Sequence, residues 1–342
     1  MVRHNLLIMS DLVGSSEVRR LRRFANVYRS SELDEKTLAD RLRQTDALLI
    51  SSWPEILTDE TLRSMKRLRF IQGILVGVDH IPFQALARKV VVSSNAGAYS
   101  LEVGEHAFGL LLSAAKRVVD THNSVARGKT DFKEFRGTAH DILVLRGKTL
   151  GVIGYGGIGA VVAGLGRSFG MKVIALSRSR RSASGSRGGG GGGLRFVRGR
   201  GALTSLLAGS DAVVLALPLT KLTEGMIGEK ELSVAKGGAV LVNISRGDIV
   251  NQAALYEHLR RNPSFRYATD VWWYKEGRET LVTDYPFTSL PNFVGTPHIS
   301  GPTAVASGRP VRMAVENTLR YLRGLRPKNV VKRSEYSRSI VL

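Results

Sequence analysis

The stretch Gly151-Val-Ile-Gly154-Tyr-Gly156-Gly-Ile-Gly159 decides how the rest of the chain is read. It carries the spacing G-x-G-x-x-G between an apolar run, Thr149 to Ile153, and a helix-like segment, Gly156 to Phe169. A second strand pattern, Lys172 to Leu176, follows. Each glycine has a separate physical task. Gly154 permits a tight turn, Gly156 lets backbone approach a pyrophosphate, and Gly159 lets the helix lie close on the strand. The helix start then offers unpaired amides and a partial positive charge to phosphate. Glycine turns that bind nothing are common, so the strand–turn–helix–strand setting gives this one its meaning. Tyr155, Gly157 and Ile158 complete the loop.

The end of the second strand bears on which dinucleotide is held. An NAD site places Asp or Glu roughly 20 residues beyond the first glycine, on the ribose hydroxyls. Here the chain offers Ser177, Arg178, Ser179, Arg180 and Arg181, without an acid. A carboxylate would repel a 2′-phosphate, whereas arginine and serine bind it. The expectation is NADP(H), with NAD(H) possible. The same arginines also suit a solvated loop leading into Ser182 to Gly193, a Ser/Gly/Arg tract expected to form a mobile surface loop.

Outward from this centre, strands and helices alternate. Leu6 to Met9, Ala47 to Ser51, Phe70 to Leu75 and Val90 to Ser93 read as strands, and Thr58 to Arg67 as a capped helix. Leu101 to Val119 reads as one long helix, followed by a loose polar segment from Asp120 to His140. Beyond the fingerprint, Asp211 to Leu217, Ala239 to Asn243, Tyr267 to Val271 and Asn292 to Gly295 read as strands. Glu229 to Lys236 and Asn251 to Arg261 read as helices. Such alternation predicts an α/β protein built on parallel sheet.

The chain has 342 residues, enough for two domains of ordinary size. There is no cysteine, so disulfides, thiol catalysis and thiolate metal sites are excluded. The 7 histidines show no pair at a metal-ligand spacing. No apolar run approaches the roughly 20 residues that span a bilayer. The start lacks a signal peptide's apolar region and cleavage site, so a cytoplasmic protein with no membrane partner is expected. The formal charge of +21 is spread along the chain, which points to a basic proteome rather than to nucleic-acid binding.

From about Ile71 to Gly301 several separate blocks occur in order. They are Leu75-Val-Gly-Val-Asp79, Asn95-Ala-Gly, Val103-Gly-Glu105-His106, Arg146-Gly-Lys148 with the fingerprint, Leu217-Pro218-Leu-Thr220 with Thr223, Val242-Asn-Ile244-Ser245-Arg246-Gly, Asp270-Val and Thr296-Pro-His298. Together they resemble the D-2-hydroxyacid dehydrogenase family, which includes glyoxylate/hydroxypyruvate reductases and phosphoglycerate dehydrogenases. The resemblance implies two doubly wound parallel-sheet domains, a Rossmann cofactor domain (99–295) inserted into a flavodoxin-like substrate domain (1–98 and 296–342). It also implies a homodimer and hydride transfer between NAD(P)(H) and a small 2-keto or 2-hydroxy acid.

Keto-acid reduction needs a cation for the substrate carboxylate and polarised carbonyl, and an acid for the forming alkoxide. The resemblance gives these tasks to Arg246 and His298. It usually places a glutamate, partner of the histidine, five residues after the Asp of the Asp-Val pair. Here that place holds Lys275, so the role is expected of Glu276, one residue on. The cofactor is expected against Gly154 to Gly159, Ser177 to Ser179, Pro218, Thr223, Ile244, Ser245, Arg246, Asp270 and His298, with Asp270 at the nicotinamide carboxamide. The substrate carboxylate is expected at backbone amides of Val76 and Gly77. Other readings on the same fold are a cofactor-sensing corepressor, a phosphoglycerate dehydrogenase, and a formate dehydrogenase, which pairs its histidine with Gln.

Overall fold

The computed structural model describes residues 3–129, 131–137, 141–178, 193–301 and 308–336. Ser179, Arg180, Arg181 and the glycine-rich tract up to position 192 lie outside the described residues. The chain divides into two compact units, Met1–Tyr99 with Pro302–Leu342, and Ser100–Gly301. The second boundary thus follows Gly301 rather than preceding Thr296, and the Thr296–His298 turn goes with the second unit.

In the first unit, β1 (His4–Met9), β2 (Ala25–Arg29), β3 (Ala47–Ile50), β4 (Phe70–Gly73) and β5 (Val91–Ser93) form a sheet of order β2-β1-β3-β4-β5. All pairings are parallel, and the order is that of flavodoxin-like folds. Successive residues of one strand enter opposite cores. Leu7, Leu48 and Ile71 pack on one side, with Leu6, Leu49 and Phe70 on the other. A sheet buried on both faces therefore reads as continuous apolar runs. Helices α1 (Ser15–Arg22), α2 (Glu35–Gln44) and α3 (Asp59–Ser64) connect the strands. The caps are visible: Asp34 accepts from the Thr37 N–H and Thr58 from that of Thr61.

The C-terminal helix Arg309–Leu322 belongs to this unit through buried polar contacts. Asn317 Nδ2 donates to Gln72 Oε1 at 2.7 Å, and Asn95 Nδ2 to the carbonyls of Ile74 and Pro310. Asn95 is therefore spent on joining the chain ends.

The second unit holds β6 (Thr149–Ile153), β7 (Lys172–Leu176), β8 (Leu194–Val197), β9 (Ala212–Leu215), β10 (Val240–Asn243), β11 (Arg266–Thr269) and β14 (Phe293–Gly295). Their order is β14-β11-β10-β9-β6-β7-β8, all parallel. Strand order reverses between β6 and β9, the crevice where such sheets bind ligands. A separate antiparallel hairpin, β12 (Tyr274–Lys275) with β13 (Arg278–Glu279), projects from the segment after β11.

Helices α4 (Ser100–Ala115) and α5 (Val118–Ala126) replace the single long helix expected from sequence. The break is at Arg117, which has φ +55° and binds Asp120 and Asp141 through its guanidinium. A left-handed residue ends one helix and redirects the next. Helix α6 (Gly157–Ser168) follows the fingerprint and packs on α4. A Cβ on Gly104 would stand 2.5 Å from Val161 Cγ1, so that glycine sets how near the two helices approach. Helices α7 (Ala202–Gly209), α8 (Glu229–Ser233) and α9 (Gln252–Arg261) complete the unit, α9 capped by Asn251. The short strands β2 and β8 were not anticipated; neither Ala25–Arg29 nor Leu194–Val197 is an uninterrupted apolar run. No helix of the described residues is long and apolar enough to cross a membrane.

Candidate active site

The site assembles at the carboxyl ends of the second unit's strands. At β6, the fingerprint glycines have distinct surroundings. A Cβ on Gly154, which has φ +97°, would lie 2.3 Å from the Ala216 carbonyl oxygen. One on Gly159 would lie 2.1 Å from the Gly154 carbonyl oxygen, whereas one on Gly156 would meet nothing within 4 Å. Only the middle glycine faces open space. The first turn of α6 begins there with its amides, so the loop fits a pyrophosphate by steric room and donor supply alike. Tyr155 and Ile158 flank it half-buried, and Gly157 is exposed. At the end of β7, Ser177 is half-buried and Arg178 exposed, and the Ser177 carbonyl accepts from Arg198 Nε at 3.2 Å.

The β9 and β10 ends are tied to each other. Thr223 Oγ1 donates to the Pro218 carbonyl at 2.7 Å and closes that turn, while the Leu217 N–H donates to Ser245 Oγ at 3.0 Å. Ile244 and Ser245 are buried. Asn243 is fully buried and acts as a clamp: Oδ1 accepts from the Ser245 N–H and Nδ2 donates to the Arg246 carbonyl. Arg246 is thereby held in extended backbone, half-buried, at the carboxyl edge.

One strand further on, Asp270 ends β11 with 0% exposure. Its Oδ1 accepts from Thr296 Oγ1 at 2.6 Å and the Ile299 N–H at 3.0 Å, and Oδ2 from the Ser300 N–H at 3.0 Å. Burial would raise its pKa, but these donors outweigh that and hold the carboxyl below its ordinary value. Asp270 was expected at the nicotinamide carboxamide; its carboxylate is enclosed by the turn that carries His298. Thr296 Oγ1 also lies 3.0 Å from His106 Nε2. Because the threonine proton goes to the carboxylate, the imidazole is the donor to the threonine oxygen.

His298 sits in this turn with φ +53°. Its Nδ1 lies 2.7 Å from Glu279 Oε2, and the glutamate's other oxygen accepts from the Trp272 N–H at 2.7 Å. The carboxylate only accepts, so Nδ1 carries hydrogen and Nε2 is the atom left to exchange a proton. The histidine side chain is 42% exposed and the glutamate 19%. The partner is thus Glu279, not Glu276. Register pairs Tyr274 with Glu279 and Lys275 with Arg278, leaving Glu276-Gly277 as the two-residue turn, at φ +53° and +81°. Both values suit a type I′ hairpin. Glu276 is spent on the exposed turn, and the return strand delivers Glu279.

The hairpin is anchored by the tryptophans before it. Trp272 Nε1 donates to the Thr296 carbonyl at 2.9 Å, and Trp273 Nε1 to that of Val250 at 2.7 Å. A Cβ on Gly247 would strike the Trp272 backbone at 2.3 Å, so the segments carrying Arg246 and Glu279 touch backbone to backbone. Asp248, in the same segment, accepts from the Tyr274 N–H at 3.4 Å. Burial first, then the charges of Glu224 and Glu279, push its carboxyl up to about 6. Among the described residues no group of three His, Asp or Glu could hold a metal ion.

With this geometry in place, the comparisons are decisive. Residues 108–300 match the family model described as D-isomer specific 2-hydroxyacid dehydrogenase, NAD binding domain. A glyoxylate reductase from Aeropyrum pernix is 34% identical over 307 residues, covering 87% of this chain and 86% of that one. The chain belongs to the D-isomer specific 2-hydroxyacid dehydrogenase family. It is accordingly an oxidoreductase that uses a nicotinamide dinucleotide on 2-hydroxy acids. Among solved structures, one from Pyrobaculum aerophilum with the provisional name formate dehydrogenase is 30% identical, with TM-score 0.78, covering 97% of this chain and 100% of that one. An acyclic imino acid reductase, Bsp5, solved with NADPH and D-Arg, is 26% identical with TM-score 0.76, covering 96% of this chain and 100% of that one.

Within this dehydrogenase, the structure brings the fingerprint, Pro218, Thr223, Arg246 and His298 to one edge of one sheet. Ser179 lies outside the described residues. Val76 and Gly77 are half-buried just beyond β4, at the carboxyl edge of the first unit's own sheet. Sequence reasoning missed Glu279 and gave His106 no role. The alternation from Tyr274 through Glu-Gly to Glu279 was the available signal for the first.

The substitution His298→Asn lowers kcat by roughly 10²- to 10⁴-fold, and Glu279→Gln lowers it as well, because the ring loses the carboxylate that orients it through Nδ1. Glu276→Gln leaves both kcat and the pH profile unchanged; equal loss in the two glutamine variants contradicts the assignment. Asp248 has its folded pKa above the value for an exposed aspartate, so its favourable contribution is complete in acid and is lost as pH rises through about 6. Asp248→Asn therefore melts above the parent at pH 8, and the two curves converge near pH 4, as thermal denaturation across that range will test.

Proposed function

We propose that this dehydrogenase reduces a small 2-keto acid of the glyoxylate or hydroxypyruvate class to the D-2-hydroxy acid, with NADPH preferred over NADH. The observation that carries this reading is the His298–Glu279 pair standing two strand ends from Arg246. Neighbouring strands are roughly 4.8 Å apart, so the guanidinium and imidazole are based roughly 10 Å from each other, a span that side chains of this length close onto one small molecule.

The roles then divide as the chemistry requires. Arg246 takes the substrate carboxylate and polarises the adjacent carbonyl, and its planar fork suits a carboxylate edge. His298 gives its Nε2 proton to the carbonyl oxygen as that oxygen becomes an alkoxide. Glu279 keeps the ring oriented through Nδ1. Gly154 to Gly159 and the Pro218–Thr223 turn would hold the nicotinamide dinucleotide, which when bound would supply or receive the hydride. Formate oxidation needs no proton donor for an alkoxide, so a histidine–glutamate pair exceeds what that reaction would use. It also exceeds what a cofactor sensor needs.

The preference for NADPH is supported by Ser177 and Arg178 at the end of β7 and by the absence of any acid from Met171 to Ser210. Bsp5 was solved with NADPH, which shows that the fold accommodates it. A homodimer is supported by apolar side chains left in solvent around α5: Val118 is 54% exposed, Val125 58%, Phe132 89% and Val144 60%. An exposed apolar patch of this kind marks an association surface.

The test is oxidation of NADPH and NADH against glyoxylate, hydroxypyruvate, pyruvate and bulkier keto acids. The two smallest hydrophilic acids should give the highest kcat/KM, with NADPH favoured by about tenfold or more, the scale of one charge-assisted contact. No turnover with any member of the panel sinks the reading. Sedimentation of the same preparation should give twice the monomer mass, and Phe132→Glu should halve it.

A further inference from the structure

Along the chain the positive charge is diffuse, but folding gathers part of it at the amino-terminal edge of the first unit's sheet. Four of the five strands begin behind cations. Arg3 precedes β1, and Arg22 and Arg23 lie at the end of α1 ahead of β2. Lys66, Arg67 and Arg69 separate α3 from β4, and Lys89 comes shortly before β5. The C-terminal helix Arg309–Leu322 ends at the same edge. Tyr321 stacks on Phe70, the first residue of β4, with ring centroids 4.4 Å apart. The Arg323 guanidinium stands 4.4 Å from the centre of the Phe24 ring, just ahead of β2. All of these cations except Arg69 are solvent-exposed.

Little negative charge offsets the row. Its one acid, Asp46 ahead of β3, has a side chain only 11% exposed and is spent on the Asn5 N–H and on Arg67. The acids of neighbouring segments, Asp40, Glu316 and Glu335, pair with Arg43, Arg20 and Lys332. Arg3, Arg69 and Lys89 donate to the backbone carbonyls of Arg22, Lys66 and Leu68, which are neutral and leave the positive charge in place. A helix C-terminus favours a nearby cation, which accounts for Arg22, Arg23 and Arg323. Arg69 and Lys89 precede strands, where that attraction has no counterpart.

We propose that this edge is a docking surface for duplex nucleic acid, gripped by its phosphates without readout of the bases. Neighbouring strands are about 4.8 Å apart, so the row from β2 to β5 is about 19 Å long. A line of cations complements a rod that presents one negative charge per roughly 1.7 Å of its axis. Most of the row is arginine, whose planar fork takes phosphate oxygens in pairs. The aromatic faces at this edge are covered, Phe24 by Arg323 and Tyr321 by Phe70, so it offers no platform for the unstacked bases of a single strand. Leu21, Leu68 and Val90, next to these cations in the chain, are buried, which disfavours insertion into a bilayer. Val76 and Gly77 lie at the opposite edge of the same sheet, so docking leaves them open.

Fluorescence anisotropy of a labelled DNA duplex of arbitrary sequence, titrated with the intact enzyme at several salt concentrations, tests this. The logarithm of the binding constant should fall against that of salt with a slope of about −5, as for roughly six phosphate contacts. The triple variant Arg22→Ser, Arg23→Ser, Lys66→Ser should bind about tenfold more weakly or worse, with the slope reduced by about three. A control variant, Lys172→Ser, Arg195→Ser, Lys230→Ser, removes the same charge from exposed positions of the second unit and should leave both values nearly unchanged. Vesicles of phosphatidylcholine and phosphatidylserine, at equal salt, should bind more weakly than the duplex. The proposal is overturned by absence of duplex binding at low salt, by equal weakening in the two triple variants, or by tighter binding to the vesicles. If the first triple variant does not fold, Arg23→Gln decides alone, through a slope reduced by about one.

Discussion

A carboxylate with no access to water governs the chemistry of this protein. Asp270 is enclosed at the end of β11, and three donors from the 296–300 segment satisfy it. Leaving such a group unpaired costs several kcal/mol, so the segment cannot move away without a large loss of stability. The left-handed His298 is held between those anchors. Through Thr296 the constraint extends to His106 on α4, so α4, the end of β11 and the acid–base residue form one connected body. The same bonds explain why the boundary between the two units falls after Gly301.

Around that fixed turn, the remaining parts meet by backbone contact rather than by long side chains reaching out. Gly247 abuts the Trp272 backbone, Asn243 clamps the residues before and after Ser245, and the two tryptophan nitrogens donate to carbonyls of flanking segments. Contacts of this kind fix position to within a fraction of an ångström, which is what proton transfer at a defined atom requires. Asp248 is the exception: burial first, then the charges of Glu224 and Glu279, push its carboxyl up to about 6.

Much of this was legible in the residues. Glycine spacing, an apolar run and a helix pattern sufficed for the Rossmann half, because Gly154 and Gly159 answer close backbone approaches and Gly156 borders open space. Arg246 and His298 were expected from the family resemblance of their sequence blocks, not from any local pattern of their own. The errors have physical sources. The Leu101–Val119 periodicity continues through Arg117, and nothing local signals a left-handed residue whose partner, Asp141, lies far along the chain. Strands β2 and β8 owe their pairing to neighbours, not to their own composition. Glu276 was chosen by counting along the chain, which assumes an unfolded loop; a hairpin turns that count into a there-and-back path.

The hairpin has a consequence for how related chains diverge. Paired residues of antiparallel arms share a face, so lengthening both arms by two residues preserves which side the acid occupies, while a single inserted residue reverses it. What selection can hold constant here is therefore parity rather than linear distance. An acid nine positions beyond Asp270 and one five positions beyond it can serve the same imidazole, and column-by-column comparison of such chains will pair the wrong carboxylates.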